Sequence, residues 1–434
     1  MTILINPARF RFGADTAIGR LLGDEPSGLA IDFLTGETII RDQTTPVVNS
    51  ISDINSLMTY TSPSTKRIFD VNGLMVAGTT LRCDHHPITH EPLGLLSEIA
   101  CTNKLLRSQE FGTTWVPSNT TVSADAATAP DGTATGDRLT ATSATAPKIS
   151  QAATATAAAH TLSVYAEAGT ASWLKLTLTT SGSAANRSAW FDLANGVAGS
   201  KGSSVTFQTI TPIGNGWYRC SITVTTAAVS ETATITMVTG DAADDGTNGT
   251  TVDLWGAQLE LASMPTSYIV TTTATVTRSA DIVFVPVASF PLNTVAHTLI
   301  AEGECLDPQT AAFRELASLF FSSTMAVYVA RHLTYVKTTV NNTSLQTDMI
   351  LEAVRTVGRT NRFAVASEAN NFAASINGEA VVTDSAGSMP ATTPTGLYVG
   401  ATGTAQLNGH IRKLVYLPRR ALNAELPRMS ALAA

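Results

Sequence analysis

Alternation of apolar and polar residues is the most regular feature in the middle of the chain. In residues 172–180, Leu174, Leu176 and Leu178 alternate with other residues, and residues 218–226 and 233–240 repeat the same period of two. This period places one set of side chains in a core and the other in solvent, which predicts strands. Threonine, which is β-branched yet polar, fills many outward positions. The segments between the strands carry turn-forming residues: Pro130-Asp131-Gly132, Asn195-Gly196, Gly214-Asn215-Gly216 and Asp245-Gly246. Many short strands at this spacing predict a β-sandwich of the jelly-roll type.

Short apolar runs continue through residues 283–434 and predict a second β-sandwich. Asn377-Gly378 is expected to close a hairpin, because both residues readily adopt left-handed backbone angles. Residues 310–321 fit either a short helix or a strand with its loop, and their periodicity does not decide between the two. Residues 421–433 predict a short terminal helix.

The first part of the chain has shorter and more scattered elements. Residues 29–42 read as a hairpin with a Thr-Gly turn, and residues 70–78 as another, in which Asn72-Gly73 suits a type I′ turn. The expected fold class is therefore all-β, with an extended N-terminal arm followed by two tandem β-sandwich domains. The predicted segments are 1–106 for the arm, 107–281 for the jelly roll and 282–434 for a concanavalin-like sandwich.

The amino-acid composition argues against several classes of protein. Charged residues make up 14% of the 434 residues, against roughly 25% in an average soluble protein, which excludes a coiled coil. The net charge of −7 gives no basic surface for nucleic acid. No signal peptide is visible at the start, and no stretch of about 18 apolar residues predicts membrane insertion. The four cysteines are far apart and read as free thiols of a chain made in a reducing cytosol: Cys83, Cys101, Cys220 and Cys305.

Several phrases of the sequence resemble one family of proteins. Residues 82–115 contain Arg-x-Asp-x-x-Pro-x-Thr, then Gly-Leu-Leu-x-Glu, Thr-Asn and Ser-x-x-Phe…Trp, and residues 214–225 and 253–281 continue the likeness. They resemble bacteriophage head-spike or tail-fibre proteins that carry a carbohydrate-binding-module-like jelly roll. Residues 361–379 and 409–426 are similar to concanavalin-like (laminin-G-like) lectin sandwiches. In this family the residue matching His90 is more often Gly, and the residue matching Cys101 is more often Arg or Ala.

The resemblance implies a place in a phage particle assembled in the cytoplasm of the bacterial host. It implies that the arm docks onto head or tail proteins and that the chain forms a homo-oligomer, for which a trimer is expected by analogy with phage fibres. The sandwiches would attach the particle to host-surface polysaccharide. Two alternatives remain: a purely structural decoration protein of the capsid or tail, and a polysaccharide depolymerase.

One histidine-rich stretch has the composition of a metal site. Asp84, His85, His86, His90 and Glu91 supply imidazoles and carboxylates, and zinc needs about four such ligands. The alternative is that these residues form a tight turn, as the resemblance implies, with the histidines on the surface.

An acidic loop is the second candidate for a metal. Asp241, Asp244, Asp245 and Asn248 offer the oxygen ligands that calcium prefers, although the loop lacks the final Glu of an EF-hand. A solvated hairpin is the alternative. No other cofactor is expected.

Tryptophan placement bears on sugar binding, because indole faces stack on pyranose rings beside polar groups. Trp173 and Trp190 have polar neighbours on their predicted face and are the candidate platforms, whereas Trp217 and Trp255 are expected to pack in the core or at an edge. Glycoside hydrolysis needs two carboxylates about 5–10 Å apart across a cleft, and the sequence offers no such inward pair, so no catalytic residue is assigned. The chain is expected to be non-enzymatic.

Overall fold

A computed structural model describes most of the chain. The described residues are 22, 25–42, 45–51, 54–61, 64–78, 80–179, 185–226, 230–307, 314–322, 325–331, 336–352, 357–400 and 406–432. Strands dominate them, which confirms the all-β class. None of the helices in this part of the chain is long and apolar enough to cross a membrane.

The first hundred residues contribute short strands and one helical turn. Their bounds are β1 Gly28–Asp32, β2 Glu37–Asp42, β3 Thr45–Ile51, α1 Ile54–Leu57, β4 Thr59–Thr61, β5 Lys66–Phe69, β6 Met75–Gly78, β7 Cys83–His85, β8 Pro92–Ser97 and β9 Cys101–Asn103.

The middle of the chain forms the first sandwich, as the alternation predicts. Its strands are β10 Val116–Ser118, β11 Thr120–Ala127, β12 Gly136–Ala141, β13 Lys148–Thr154, β14 Ala158–Ala168, β15 Trp173–Thr179, β16 Ser188–Asp192, β17 Val197–Lys201, β18 Val205–Gly214, β19 Trp217–Thr226, β20 Ser230–Val238 and β21 Thr251–Glu260. One sheet has the order β10-β13-β20-β15-β16-β17 and the other β11-β12-β21-β14-β19-β18. Leu174, Leu176 and Leu178 are fully buried between them.

The last part of the chain supplies most of the second sandwich. Its elements are β22 Val276–Arg278, β23 Ile282–Val285, β24 Ala296–Cys305, β25 Arg314–Ser322, β26 Met325–Arg331, β27 Val336–Asn342, β28 Ser344–Glu352, β29 Asn361–Glu368, β30 Phe372–Ile376, β31 Val382–Asp384, β32 Gly396–Val399, β33 Gly409–Leu417 and α2 Leu426–Ser430. The ambiguous segment 310–321 therefore contains a strand, and the terminal helix is confirmed over five residues.

The described part of residues 1–106 does not lie apart as an arm. β1 pairs with β33 and β4 pairs with β23, so strands from the beginning of the chain complete both sheets of the second sandwich. The sheet orders are β3-β2-β1-β33-β24-β29-β30-β31, with β7 and β8 joined through β33, and β28-β27-β26-β25-β32-β23-β4. The physical reason is burial: Leu29, Ile31 and Phe33 fill the core between these sheets.

The first sandwich is consequently inserted into the second. β9 and β22, which flank the inserted residues, pair antiparallel, with Cys101 opposite Arg278 and Asn103 opposite Val276. The chain thus leaves the second sandwich and returns to it at neighbouring points.

The predicted hairpins form, with one difference in turn geometry. β1 and β2 pair across a turn in which Gly36 has φ +75°, and Asn377-Gly378 has left-handed angles at both residues. In the hairpin of β5 and β6, Gly73 is left-handed but Asn72 is not, so the turn is not type I′. Instead the Asp70 carboxylate accepts the backbone N–H groups of Asn72 and Leu74, both at 2.9 Å, and stabilises a longer turn.

Candidate functional site

A cleft of about 380 Å³ lies where the two sandwiches meet. Its lining comes from the hairpins of residues 67–98, the outer face of β14, β18 and β19, residues 264–268, Leu306, Val357 and residues 408–410. Much of the lining is apolar, including Phe69, Met75, Leu96, Phe207, Ile213 and Met264. The polar side chains at its wall include Arg67, Asp84, His85, Glu98, Arg219 and His410. An apolar cleft with a few convergent polar groups is the usual form of a small-molecule site.

His410 is held between two carboxylates at one side of the cleft. Its Nε2 lies 3.2 Å from Oδ2 of Asp84 and its Nδ1 lies 3.0 Å from Oε1 of Glu304. Burial by itself lowers the pKa of His410, but the hydrogen bonds to Asp84 and Glu304 outweigh it and raise the pKa to about 9. His410 is therefore an imidazolium at neutral pH and links β7 to β33.

Five buried charged groups form an ionic cluster behind the cleft, at the junction of the sandwiches: Lys66, Arg82, Glu98, Arg278 and Asp281. Lys66 donates to Asp281 at 2.6 Å, and Arg82 donates to Glu98 at 2.9 Å and also to Asp281. Arg278 completes the cluster by pairing with Glu98.

Charge balance in the ionic cluster affects its pKa values. Burial lowers the pKa of Lys66 to about 8, against the opposing attraction of Asp281. Burial raises the pKa of Glu98, but Arg278 and Arg82 together hold it far below its usual value. The cluster has three basic and two acidic groups and therefore one surplus positive charge. Lys66 is the basic member whose pKa is lowered, so it loses its proton most easily.

Arg219 lies on β19 and pairs with no carboxylate among the residues that the structure describes. Its Nη1 donates to the carbonyl oxygen of Thr266 at 2.8 Å and its Nη2 donates to Oγ of Ser163 at 3.0 Å. The guanidinium also lies 5.2 Å from the ring centroid of Tyr165. These contacts fix the arginine against the wall of the cleft.

The histidine-rich stretch adopts the turn geometry. His90 has φ +61°, a left-handed backbone value that favours glycine. Nδ1 of His86 accepts the backbone N–H groups of Ile88 at 3.2 Å and Thr89 at 3.1 Å, which leaves Nε2 as the ring nitrogen open to other partners. Asp84 and His85 belong to the cleft wall instead. Within the described ranges, no three His, Cys, Asp or Glu side chains are grouped to hold a metal ion.

The carboxylates of the acidic loop engage three different partners. Asp241 accepts the backbone N–H and the hydroxyl of Ser200, both at 2.7 Å. Asp244 pairs with Lys175 at 2.5 Å, and Asp245 accepts the N–H of Ala146 at 3.1 Å. Each of the three carboxylates therefore has its own partner, and a calcium site at this loop stays a prediction.

Trp173 and Trp190 lie on one face of the first sandwich, which we call the tryptophan face. In the register of β15 and β16, Trp173 is opposite Asp192 and Lys175 is opposite Trp190, so all four side chains point away from the core. Trp173 is half-buried, whereas Trp190 is 9% exposed.

The acidic loop accounts for the burial of Trp190. The indole Nε1 of Trp190 donates to the carbonyl oxygen of Ala243 at 2.6 Å, and Nζ of Lys175 lies 5.2 Å from the ring centroid. A sugar would reach the face of Trp190 only after this loop moves, while Trp173 is reachable beside it.

Trp217 and Trp255 are buried, as expected. Trp217 donates to the carbonyl oxygen of Thr128 and Trp255 to the hydroxyl of Thr135, both at 3.0 Å. They belong to an apolar cluster beneath the β5–β6 hairpin, on the side of the cleft. The cleft itself is not apparent from the sequence, because the side chains in its wall come from positions up to about 340 residues apart.

Comparisons with known proteins give weak structural likenesses. No family model matches the chain, and no curated protein matches it. The CBM40 module of the Ruminococcus gnavus IT-sialidase, bound to α2,6-sialyllactose, is 14% identical over 32% of this chain and 85% of that chain, with a TM-score of 0.26. Domains LG4-5 of the mouse laminin α1 chain are 12% identical over 61% and 85%, with a TM-score of 0.20.

A third solved structure, the Trypanosoma rangeli sialidase in complex with sialic acid, is 9% identical over 85% of this chain and 76% of that chain, with a TM-score of 0.27. At these values the likenesses support no conclusion about what this chain binds.

Proposed function

We propose that this chain is a non-enzymatic structural protein of a phage particle and that its tryptophan face binds glycans of the host surface. The resemblance of residues 82–115, 214–225 and 253–281 to head-spike and tail-fibre proteins supports the place in the particle. In this proposal the particle is assembled in the bacterial cytoplasm and residues near the N-terminus dock onto the head or tail.

The observation that carries glycan binding is the shared orientation of Trp173 and Trp190. A Cβ added at Gly199 would lie 2.8 Å from the Trp173 ring and 2.5 Å from Oδ1 of Asp241, so the ring and the carboxylate converge above this glycine. An indole beside a carboxylate and the ammonium of Lys175 offers stacking and hydrogen bonds to one sugar ring. Binding of this kind needs no cofactor.

Weak binding at one site becomes effective when several sites share one particle. A homotrimer would supply three tryptophan faces, and many trimers on a particle would multiply them further. The low charge of the chain suits contact between copies, because burying an unpaired charge is costly.

The test replaces Trp173 in the full chain and measures binding to host-surface polysaccharide by biolayer interferometry. We expect Trp173→Ala to weaken binding about 2- to 13-fold, which corresponds to the roughly 0.5–1.5 kcal/mol of an aromatic contact. Trp173→Phe keeps a ring and should retain most of the binding. Equal binding by the alanine variant would contradict the role of this face.

The burial of Trp190 under the acidic loop favours one alternative, a purely structural decoration protein. If the wild-type chain binds no host polysaccharide at millimolar concentrations, this alternative is preferred. Release of reducing ends from the same polysaccharide would instead show a depolymerase and overturn the non-enzymatic assignment.

A further inference from the structure

We propose that the cleft between the two sandwiches is a binding site for a small amphipathic carboxylate, a molecule with an apolar body and one anionic head. This site is separate from the tryptophan face and does not depend on glycan binding. Trp173 lies on the sheet that faces away from the cleft, because the cleft is lined by the outer face of the opposite sheet.

The apolar part of the ligand follows from the lining. Phe207 and Ile213 come from β18, Phe69 and Met75 from the hairpin opposite, and Met264 from the segment after β21. A cavity of about 380 Å³ is within the range of small-molecule sites, roughly 300–1,000 Å³. A carbohydrate, with hydroxyls on every side, would leave many of them unpaired here.

The acidic lining residues already have partners. Asp84 accepts the backbone N–H groups of Phe69 at 2.8 Å and His85 at 3.0 Å, and its other oxygen faces His410. Glu98 accepts the N–H of Ser267 at 2.7 Å and pairs with the arginines of the ionic cluster. These carboxylates therefore have little capacity for the donors of a ligand.

The basic residues of the cleft wall differ in whether they have an acidic partner. Arg67 lies 3.6 Å from Asp131, and His410 has two carboxylates. Arg219 has no carboxylate partner among the described residues, and its Nε has no hydrogen-bond partner there. A guanidinium has five N–H donors, of which Arg219 uses two in the hydrogen bonds to Thr266 and Ser163.

An arginine that is fixed in place, with no counterion in the described part of the chain, is suited to an anionic head. The hydrogen bonds to Thr266 and Ser163 and the ring of Tyr165 hold the guanidinium before a ligand arrives, which reduces the ordering cost of binding. The remaining N–H groups match a carboxylate geometrically. A positive site of this kind in a chain of net charge −7 attracts anions locally.

The test uses the full chain and the fluorescent probe 8-anilinonaphthalene-1-sulfonate, which has an apolar body and one anionic group. Octanoate and octan-1-ol, which share an apolar chain and differ in charge, then compete with the probe. We expect octanoate to displace it at a concentration at least about 10-fold lower than octanol. Equal displacement by both, or no saturable binding of the probe, would overturn the proposal.

Variants then assign the charge preference to Arg219. Arg219→Gln should weaken the binding of octanoate about 10-fold and leave the binding of octanol unchanged. Arg219→Lys should keep most of the preference for octanoate over octanol. The control Arg107→Gln removes a partly exposed arginine that pairs with Glu110 outside the cleft, and it should change the binding of neither ligand. Ile213→Trp fills the cleft and should weaken both. An unchanged octanoate preference in Arg219→Gln would show that the charge recognition lies elsewhere.

Each of the two proposals can be contradicted without affecting the other. Trp173→Ala should leave octanoate competition unchanged, and Arg219→Gln should leave polysaccharide binding unchanged. Loss of both activities in either variant would indicate a general defect in folding.

Discussion

At the scale of single residues, two buried histidines show how local partners decide charge. His410 faces Asp84 and Glu304, and its pKa is raised to about 9. His297 is buried with one backbone hydrogen bond, to Asn293, and burial lowers its pKa to about 4. The same side chain is therefore charged at one site and neutral at the other at pH 7.

The raised pKa of His410 makes the stability of the chain depend on pH. The unfolded chain releases this proton near pH 6.5 and the folded chain near pH 9, so the stabilisation is complete below pH 6.5 and is lost as the pH rises through 9. The difference corresponds to about 3 kcal/mol. We expect His410→Gln to be less stable than the wild type at pH 6, with the gap narrowing by pH 9.5, in urea unfolding followed at several pH values.

His297→Gln is the matched control. Because the folded chain binds fewer protons at His297 than the unfolded chain between pH 4 and 6.5, that residue affects the pH dependence only below about pH 7. Lys66, with a pKa of about 8, makes stability rise with pH above that value in all three proteins and cancels in the comparison. A constant gap between His410→Gln and wild type from pH 6 to 9.5 would contradict the assignment.

Sequence reasoning at this scale succeeds where neighbours along the chain decide the outcome. The left-handed Asn377-Gly378 and the buried Trp217 and Trp255 are predicted correctly. The roles of Arg219 and His410 cannot be predicted this way, because Asp84 lies 326 residues before His410 and Thr266 lies 47 residues after Arg219.

At the scale of elements, two hairpins differ in what surrounds a turn glycine. Gly36 and Gly73 have nearly the same left-handed φ, +75° and +73°. A Cβ added at Gly36 would meet nothing within 4 Å, whereas at Gly73 it would lie 2.4 Å from the carbonyl oxygen of Pro87. The β5–β6 hairpin is thus packed against the turn of residues 86–90, and the β1–β2 turn is open.

This contrast predicts that replacing glycine by alanine lowers the free energy of unfolding by different amounts at the two turns. Gly36→Ala should cost about 1 kcal/mol, the ordinary penalty of a left-handed alanine. Gly73→Ala adds a clash with backbone and should cost at least about 2 kcal/mol more. Hydrogen exchange of the amides of Lys66–Phe69 measures the loss at the hairpin, and equal protection in both variants would contradict the close packing of this turn.

The strands are predictable from the period of two, but their partners are not. Alternation locates β15, β19 and β20, and turn residues locate the hairpins, since both signals are local. The pairing of β1 with β33 and of β4 with β23 joins segments more than 200 residues apart. Burial over the whole chain decides such pairings, and local sequence patterns do not show it. For this reason the sequence alone predicts an arm for the N-terminal strands.

At the scale of the whole molecule, the ionic cluster joins chain segments that come before and after the inserted sandwich. Lys66 lies on β5, Arg82 lies just before β7, and Glu98 precedes the inserted sandwich. Arg278 and Asp281 follow the inserted sandwich. Removing one buried charge leaves its partners uncompensated, which typically costs about 3–5 kcal/mol.

We therefore expect Glu98→Gln to lower stability by about 3–5 kcal/mol, measured by urea unfolding at pH 7. Glu110→Gln removes a carboxylate that is 46% exposed and pairs with Arg107 at 2.6 Å, and it should change stability by less than about 0.5 kcal/mol. Similar small effects from both variants would show that the buried cluster contributes no more than a surface pair.

The insertion of one sandwich into the other has a consequence for synthesis on the ribosome. β1 and β4 emerge early, but β23 and β33 appear only after the whole inserted unit has been translated. The inserted unit can fold while the edges of β1 and β4 are still unpaired. Unpaired strand edges can pair with other nascent chains. A chain cut short before β33 would keep those edges permanently, so premature termination should yield aggregates even when the inserted unit is complete.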